Sequence, residues 1–180
     1  MATYSFKTPV GQTINRDLLI LYLNTGTSDA PVWSAIGKRV EDSSIDFDWS
    51  TETKQDILGG TYTTGKKATR TQTFDPCELD SGDAALKHIW ELAMVEDDIN
   101  ALLNQDLLLV HYYTTDETDG NSFAERFPAS AILPTSLGGE GGGNIGMPID
   151  VTYGGVRQKG GASIENGVVT FIPESNADAE

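Results

Sequence analysis

Hydrophobic and polar positions alternate along much of this chain with a period of two. In Ser44–Trp49, Ile45, Phe47 and Trp49 fall on one side of an extended backbone, and Ser44, Asp46 and Asp48 fall on the other. That is the pattern of a strand with two unlike faces. Similar short segments, rich in β-branched and aromatic residues, are bounded by Gly, Pro, Asn, Asp or Thr. They predict strands at Leu18–Leu23, Val32–Gly37, Ser43–Trp49, Lys54–Leu58, Lys67–Phe74, Leu107–Tyr113, Glu125–Leu133, Pro148–Tyr153 and Gly167–Ile172. The second of the hairpin strands, around Gln55–Leu58, ends at the pair Gly59-Gly60. About nine short, mostly antiparallel strands predict a mainly β fold, a sandwich or barrel rather than a parallel sheet with crossover helices.

One segment changes period. In Ser81–Glu96, Leu86, Ile89, Trp90 and Ala93 recur at helical spacing and predict a single flanking helix with one apolar stripe. Asp80 or Ser81 is the expected cap, because an acceptor there satisfies free N–H groups of the first turn. Leu92 and Val95 fall off the stripe, so the helix is expected to touch a second surface besides its sheet. It is expected to stop around Asp97-Asp98, with a short extra turn in Asp98–Gln105.

The run GGEGGG at Gly138–Gly143 reads as a flexible loop. No repeat and no second composition regime is visible. The chain reads as one domain over 1–180, with a mobile N-terminal arm and the acidic end ESNADAE as a solvated tail.

Composition narrows the function classes. The 180 residues carry 27 acidic and 12 basic side chains, a formal net charge of −15. Tight nucleic-acid binding is disfavoured, because phosphates are repelled, although a surface that nucleic acid slides past remains compatible. Cys77 stands alone, so neither an intrachain disulfide nor a cysteine metal site forms, and a small buried filler is the expected role. The start, MATYSFKTPVGQ, lacks the charged-then-apolar pattern of a signal peptide. The longest apolar run, Leu18–Leu23, is too short to cross a membrane. A soluble protein made in a cytoplasm, with no membrane partner, is expected.

Motifs that resemble chemistry fail on context. Gly60–Lys66 reproduces the first part of a phosphate-binding loop, but Lys67 stands where Ser or Thr must hold magnesium, and no helix follows. Gly141, Gly143 and Gly146 match a dinucleotide spacing, yet a proline-containing strand follows instead of a helix. In TTDETDGNSFAE, aligning Gly120 with the turn glycine of a calcium loop puts Arg126 where the final carboxylate belongs, so a polar turn is expected. His88 is expected to be exposed, and His111 to be a satisfied structural residue. Neither is paired with a serine or cysteine by any motif. No catalytic, cofactor or metal residue is predicted, and the protein is not expected to be an enzyme.

Against the acidic background, Lys54, Lys66, Lys67 and Arg70 cluster with Asp56 as the one acidic residue between Lys54 and Arg70. Two readings stand: a solubilised hairpin tip, or a patch that meets an acidic patch on another copy of the chain. Trp33, Ile45, Phe47, Trp49, Leu86, Ile89 and Trp90 are the candidates for core or interface positions. The three tryptophans occupy apolar periodic contexts that read as core.

The succession VWSAIGKRVEDSSIDFDWSTETKQDILGG, KKATRTQTFDPCEL and SGDAALKHIWEL, followed by a hydrophobic strand, resembles the major tail tube proteins of long-tailed, siphophage-type bacteriophages. It spans about Val32–Tyr113, and it is a likeness of arrangement rather than of a single motif. The resemblance implies a β-sandwich or barrel with a flanking helix, assembled into hexameric rings that stack as a hollow tube around a tape measure protein. Tail terminator and tail-tip proteins are the other implied partners, and viral DNA passes through the lumen without specific binding. The implied location is the virion tail, with assembly in the host cytoplasm. Within that frame Ile45, Phe47 and Trp49 are expected to pack inward and Asp46 and Asp48 to face the lumen or a neighbour. Lys54, Lys66, Lys67 and Arg70 are then inter-ring contact candidates. The rival readings are a monomeric β-sandwich binding or adhesin module of a virion, and the inner tube of a contractile or bacteriocin-type injection machine.

Overall fold

The computed structural model describes residues 3–174, so the acidic tail falls outside the described residues from 175 onward. The strands are β1 (Tyr4–Phe6), β2 (Leu19–Asn24), β3 (Trp33–Ile36), β4 (Ile45–Asp48), β5 (Glu52–Gln55), β6 (Thr61–Thr64), β7 (Thr69–Phe74), β8 (Gln105–His111), β9 (Thr114–Asp116), β10 (Ser122–Pro134), β11 (Ile149–Thr152), β12 (Gln158–Glu165) and β13 (Val168–Pro173). The helices are α1 (Ala84–Trp90), which runs on into a π-helical turn at Glu91–Val95, and the short α2 (Ile99–Leu102). The fold is mainly β, as the sequence predicts, and the strand pairs are antiparallel.

The long strand β10 belongs to two sheets. Phe123–Phe127 pairs with β8 on one side, and Ser122–Arg126 with β12 on the other. A register shift between Phe127 and Ser130 then bends the strand, and Ala131–Pro134 pairs with β11 instead. The result is one sheet ordered β3-β2-β8-β10-β12-β13 and a second ordered β10-β11-β7-β4. The first sheet curls until β13 approaches β3.

Both faces of β2 and β8 are therefore buried. Leu21, Leu23, Leu107 and Leu109 face the core shared with the second sheet and α1. Tyr22, Leu108 and Val110 face a second cluster with Ala124, Ala162 and Val169, inside the curl. Burial on both sides explains why these two strands read as continuous apolar runs rather than alternating ones.

The helix begins later than its pattern predicts. Asp80, Ser81 and Gly82 form a turn in which Asp80 Oδ1 accepts from Gly82 N at 2.8 Å. Asp83 is the cap: its Oδ1 accepts from Leu86 N at 3.0 Å. Ala85, Leu86 and Ile89 are fully buried, and Trp90 packs half-buried on the same core. In the π-helical turn Glu96 N donates to Glu91 O, one residue further back than in an α-helix. Leu92, three residues beyond Ile89 and seven beyond Ala85, is buried on the same side, while Val95 stays exposed, so the buried face is wider than the stripe of Leu86, Ile89, Trp90 and Ala93. Asp98 Oδ1 caps α2 at Ala101 N, 3.0 Å away.

Several expectations are corrected. Phe47 and Trp49 do not pack inward. They are 48% and 56% exposed, because β4 is the outermost strand of the second sheet and the core layer reaches only as far as Ile45, which is half-buried, leaving Arg70 as a partial cover over Phe47. Residues 56–60 form a turn rather than the end of a strand. Asp56 Oδ1 accepts from Leu58 N and Gly60 N, and that holds Ile57 and Leu58 out in solvent. His88 is half-buried on α1 rather than exposed. At the expected N-terminal arm, Tyr4–Phe6 is tied down as β1 against β9.

β12 escapes the periodicity because Gly160 and Gly161 interrupt it. A Cβ at Gly160 collides with the Ile172 carbonyl of β13, so the close approach of the two strands requires glycine. Cys77 is fully buried, and burial first, then Asp75 and Asp83, pushes its thiol up to about 12.

Candidate assembly surfaces

The four basic candidates occupy two different environments. Lys66 and Lys67 are exposed at the base of the β5–β6 hairpin, and Lys54 on β5 lies 3.2 Å from Glu52. Arg70 is not a surface group. On β7, it donates from Nη1 to both carboxylate oxygens of Glu125 at 3.1 and 2.9 Å. Its guanidinium lies between the rings of Phe47 and Phe127, 5.2 and 5.7 Å from their centroids. The expectation that Arg70 reaches another ring is corrected: it is committed inside its own subunit.

Glu125 is the centre of a buried node. Arg157 Nη1 donates to its Oε1 at 2.7 Å, and His111 Nε2 lies 3.2 Å from its Oε2. The other ring nitrogen of His111 is 2.7 Å from the Tyr113 hydroxyl. Burial pushes the Glu125 carboxyl up, but the hydrogen bonds from His111 and Arg70, with the charge of Arg70, outweigh it. The group is held at about 2. Its oxygens are taken by Arg70, Arg157 and His111, so the carboxylate ties β7, β8, β10 and the approach to β12 together rather than facing a substrate. Burial, then the charge of Glu125, pushes the nearby Tyr153 phenol up, and its hydroxyl donates to Gln72 Oε1. No sequence motif marks Glu125 or Arg157, because the partners are brought together only by the sheets. Among the described residues, no group of three or more His, Cys, Asp or Glu side chains is placed to hold a metal ion. Among the same residues, no helix is long and apolar enough to cross a membrane.

Three other candidates are structural positions. Leu86 and Ile89 are in the core beneath α1. Trp33 is half-buried against the cluster inside the curl, with the Arg126 guanidinium 5.7 Å from its ring centroid. Arg126 in turn donates to Asp106 at 2.9 and 2.7 Å.

The chain from Asp42 to Asp75 makes one long ribbon. Asp42 bridges Asp75 at one end, β4 pairs with β7 in the middle, Lys66 N donates to Trp49 O at 3.0 Å, and β5 pairs with β6 at the far end. Every residue of β5 and β6 is exposed, and the pair joins no other strand. Asp48 Oδ1 accepts from Ser50 N at 2.8 Å where Ser50 turns the ribbon with φ 44°.

At the opposite end lies a cleft of about 880 Å³. Leu19, Leu21, Ile36, Val40 and Phe74 supply its apolar wall, and Asp83 lies beside them. One carboxylate oxygen of Asp83 caps α1, while the other, Oδ2, is buried with no hydrogen-bond partner among the described residues. Asp17, Glu41 and Asp42 also line the cleft. A smaller acidic hollow alongside adds Asp46 and Asp75. Two cations also line it: Arg16 donates to the Ser43 and Leu19 carbonyls, and Lys38 pairs with Asp80 at 2.7 Å.

No protein-family model matches the chain, and no curated protein matches it by sequence. Among solved structures, it is similar to the sheath/tube terminator of an extracellular contractile injection system, PVC, in the extended state. The TM-score is 0.52 at 12% identity, over 83% of this chain and 99% of that one. The tube-terminating cap of the anti-feeding prophage has a TM-score of 0.49 at 15% identity, over 87% and 96% of the two chains. A chain of the PVC sheath-tube complex in the extended state has 0.48 at 11%, over 84% and 94%. The first establishes a likeness of fold to a chain of the PVC sheath/tube terminator.

Proposed function

We propose that this chain is a structural subunit of a phage tail, a major tail tube protein of the siphophage type. Its copies close into hexameric rings, and the rings stack into a hollow tube that conducts viral DNA into the host cell. The observation that carries this reading is the free-standing β5–β6 hairpin, whose turn leaves Ile57 and Leu58 101% and 90% exposed. A monomer gains nothing from holding two aliphatic side chains in water at the end of a projecting ribbon, whereas an assembly buries them. The edge strand β4 adds the exposed pair Phe47 and Trp49, stacked with ring centroids 6.1 Å apart. Uncovered strand edges of this kind are sites of association.

Within this reading the partners are further copies of the chain, a tape measure protein inside the tube, and terminator and tip proteins at its ends. The location is the virion tail, after assembly in the host cytoplasm, in a single domain. The net charge of −15 gives the lumen its function, since carboxylates facing the DNA let it slide without adsorbing. Lys54, Lys66 and Lys67 remain the inter-ring contact candidates.

The fold likeness to a tube terminator favours a second reading, the terminator of a contractile or bacteriocin-type tube. Electron microscopy of the purified protein over a range of concentrations separates the two. Stacked tubes are the expected result, while single rings that never elongate point to a terminator. Small particles and a monomeric sedimentation profile at all concentrations overturn both. Such a result favours a binding module that uses the Phe47–Trp49 pair as its platform.

A further inference from the structure

We propose that the cleft walled by Leu21, Ile36, Val40 and Phe74 is the seat for the Ile57–Leu58 hairpin tip of a second copy of this chain. The inference rests on the assembly reading for the identity of the partner. It adds the receiving site, which the hairpin alone does not reveal.

Knob and socket lie at opposite ends of one ribbon. From the Asp42–Asp75 bridge to Gln55 is thirteen residues, about 40 Å at the rise of a β-strand. A hairpin of this length cannot fold back into its own cleft without breaking the β4–β7 ladder, so the occupant comes from another molecule. A contact between two different ends of identical subunits is head-to-tail, the kind that closes into rings or propagates along an axis.

Size, polarity and charge agree. The cleft holds about 880 Å³ with an aliphatic and aromatic wall, ample for the two aliphatic side chains of the tip. Asp17, Glu41 and Asp42 at the cleft have no ion-pair partner among the described residues, while Arg16 donates to the Ser43 and Leu19 carbonyls and Lys38 pairs with Asp80. On the incoming hairpin Lys54 is paired with Glu52, and Lys66 and Lys67 at the base are the cations without an ion-pair partner among the described residues. Asp56, the acidic residue of the turn, accepts hydrogen bonds within the turn itself. The acidic end of one subunit therefore meets a hairpin whose free charges are positive, an arrangement that orients the encounter.

The cleft also has an unfilled requirement. Asp83 is 5% exposed, and its Oδ2 is buried with no donor. An acceptor in that position is costly unless something arrives to donate to it. The tip carries such a group: the Ile57 amide makes no backbone hydrogen bond among the described residues.

The test uses two exposed positions, so the fold is not disturbed. Leu58→Cys is placed on one copy and Ala84→Cys, which lines the cleft at the exposed start of α1, on a second copy of different mass. Cys77 is fully buried and does not compete. A short bis-maleimide should link the two in assembled samples and not in dilute ones. In parallel, I57D/L58D should raise the concentration needed for assembly at least about tenfold, the scale expected when interface anchors are lost. Ala84→Trp, which obstructs the cleft from the helix side, should do the same. Tubes that form normally from I57D/L58D, with no crosslink between the Leu58→Cys and Ala84→Cys copies, overturn this seat and leave the tube reading intact. Wild-type protein that never assembles overturns both.

Discussion

Arg70 and Glu125, 55 residues apart in sequence, form a two-point ion pair inside the subunit, with Nη1 of Arg70 at 3.1 and 2.9 Å from the two carboxylate oxygens. The pair joins β7 of the second sheet to β10 of the first, where β10 begins to bend between them. Glu125→Ala should therefore cost about 3–5 kcal/mol in denaturant unfolding, because it leaves Arg70 and Arg157 side by side without their shared carboxylate. A loss below about 1 kcal/mol, the ordinary surface scale, would mean that the node contributes little.

The same group sets an acid limit. Its folded value, about 2, lies below its ordinary value of 4.5, so ionised Glu125 favours the folded state. That contribution is complete above pH 4.5 and is lost as pH falls through 2. It amounts to about 3 kcal/mol by linkage. Urea midpoints measured from pH 5 to pH 2 should fall steeply for the wild type and less steeply for Glu125→Gln. Parallel curves for the two proteins contradict the assignment.

Charge reversal at the hairpin must be done without Arg70. Lys66→Glu with Lys67→Glu should leave the melting temperature unchanged and block elongation, since both side chains are exposed. Arg70→Glu should instead unfold the subunit by putting a second carboxylate against Glu125. Circular dichroism with electron microscopy reads both effects. Normal tubes from the double lysine variant remove these residues from the interface.

Under the helix, Leu86 and Ile89 are 1% and 0% exposed, and Ile89→Ala should cost about 2–5 kcal/mol. Trp90 is only half-buried, so Trp90→Ala should cost about half of the 3–5 kcal/mol typical of a fully buried aromatic. A larger loss at Trp90 than at Ile89 reverses this ranking.

At the start of α1, Asp83→Ala should lose about 0.5–2 kcal/mol as its cap is removed, whereas Ser81→Ala should change almost nothing. Equal effects at the two positions place the cap wrongly.

Local pattern by itself determined that this chain is mainly β with one principal helix. Alternating segments gave β3, β4, β7, β10, β11 and β13 close to their places, continuous apolar runs gave β2 and β8, and the spacing of Leu86 and Ile89 gave the buried side of α1. These are short-range properties, because alternation records which positions of a strand have unlike surroundings. It does not record whether a layer exists to cover them. Only the tertiary structure decided that β4 is the last strand of its sheet, which leaves Phe47 and Trp49 in solvent. Likewise, a charge count along the chain grouped Arg70 with Lys66 and Lys67, and the pairing of β7 next to β10's bend gave it Glu125 instead. The glycines that let β12 approach β13 answer to a contact between segments, the Ile172 carbonyl against Gly160. So does the unpartnered oxygen of Asp83 beside an apolar cleft. Its significance depends on residues from β2, β3 and β7 that come together only when the sheets close.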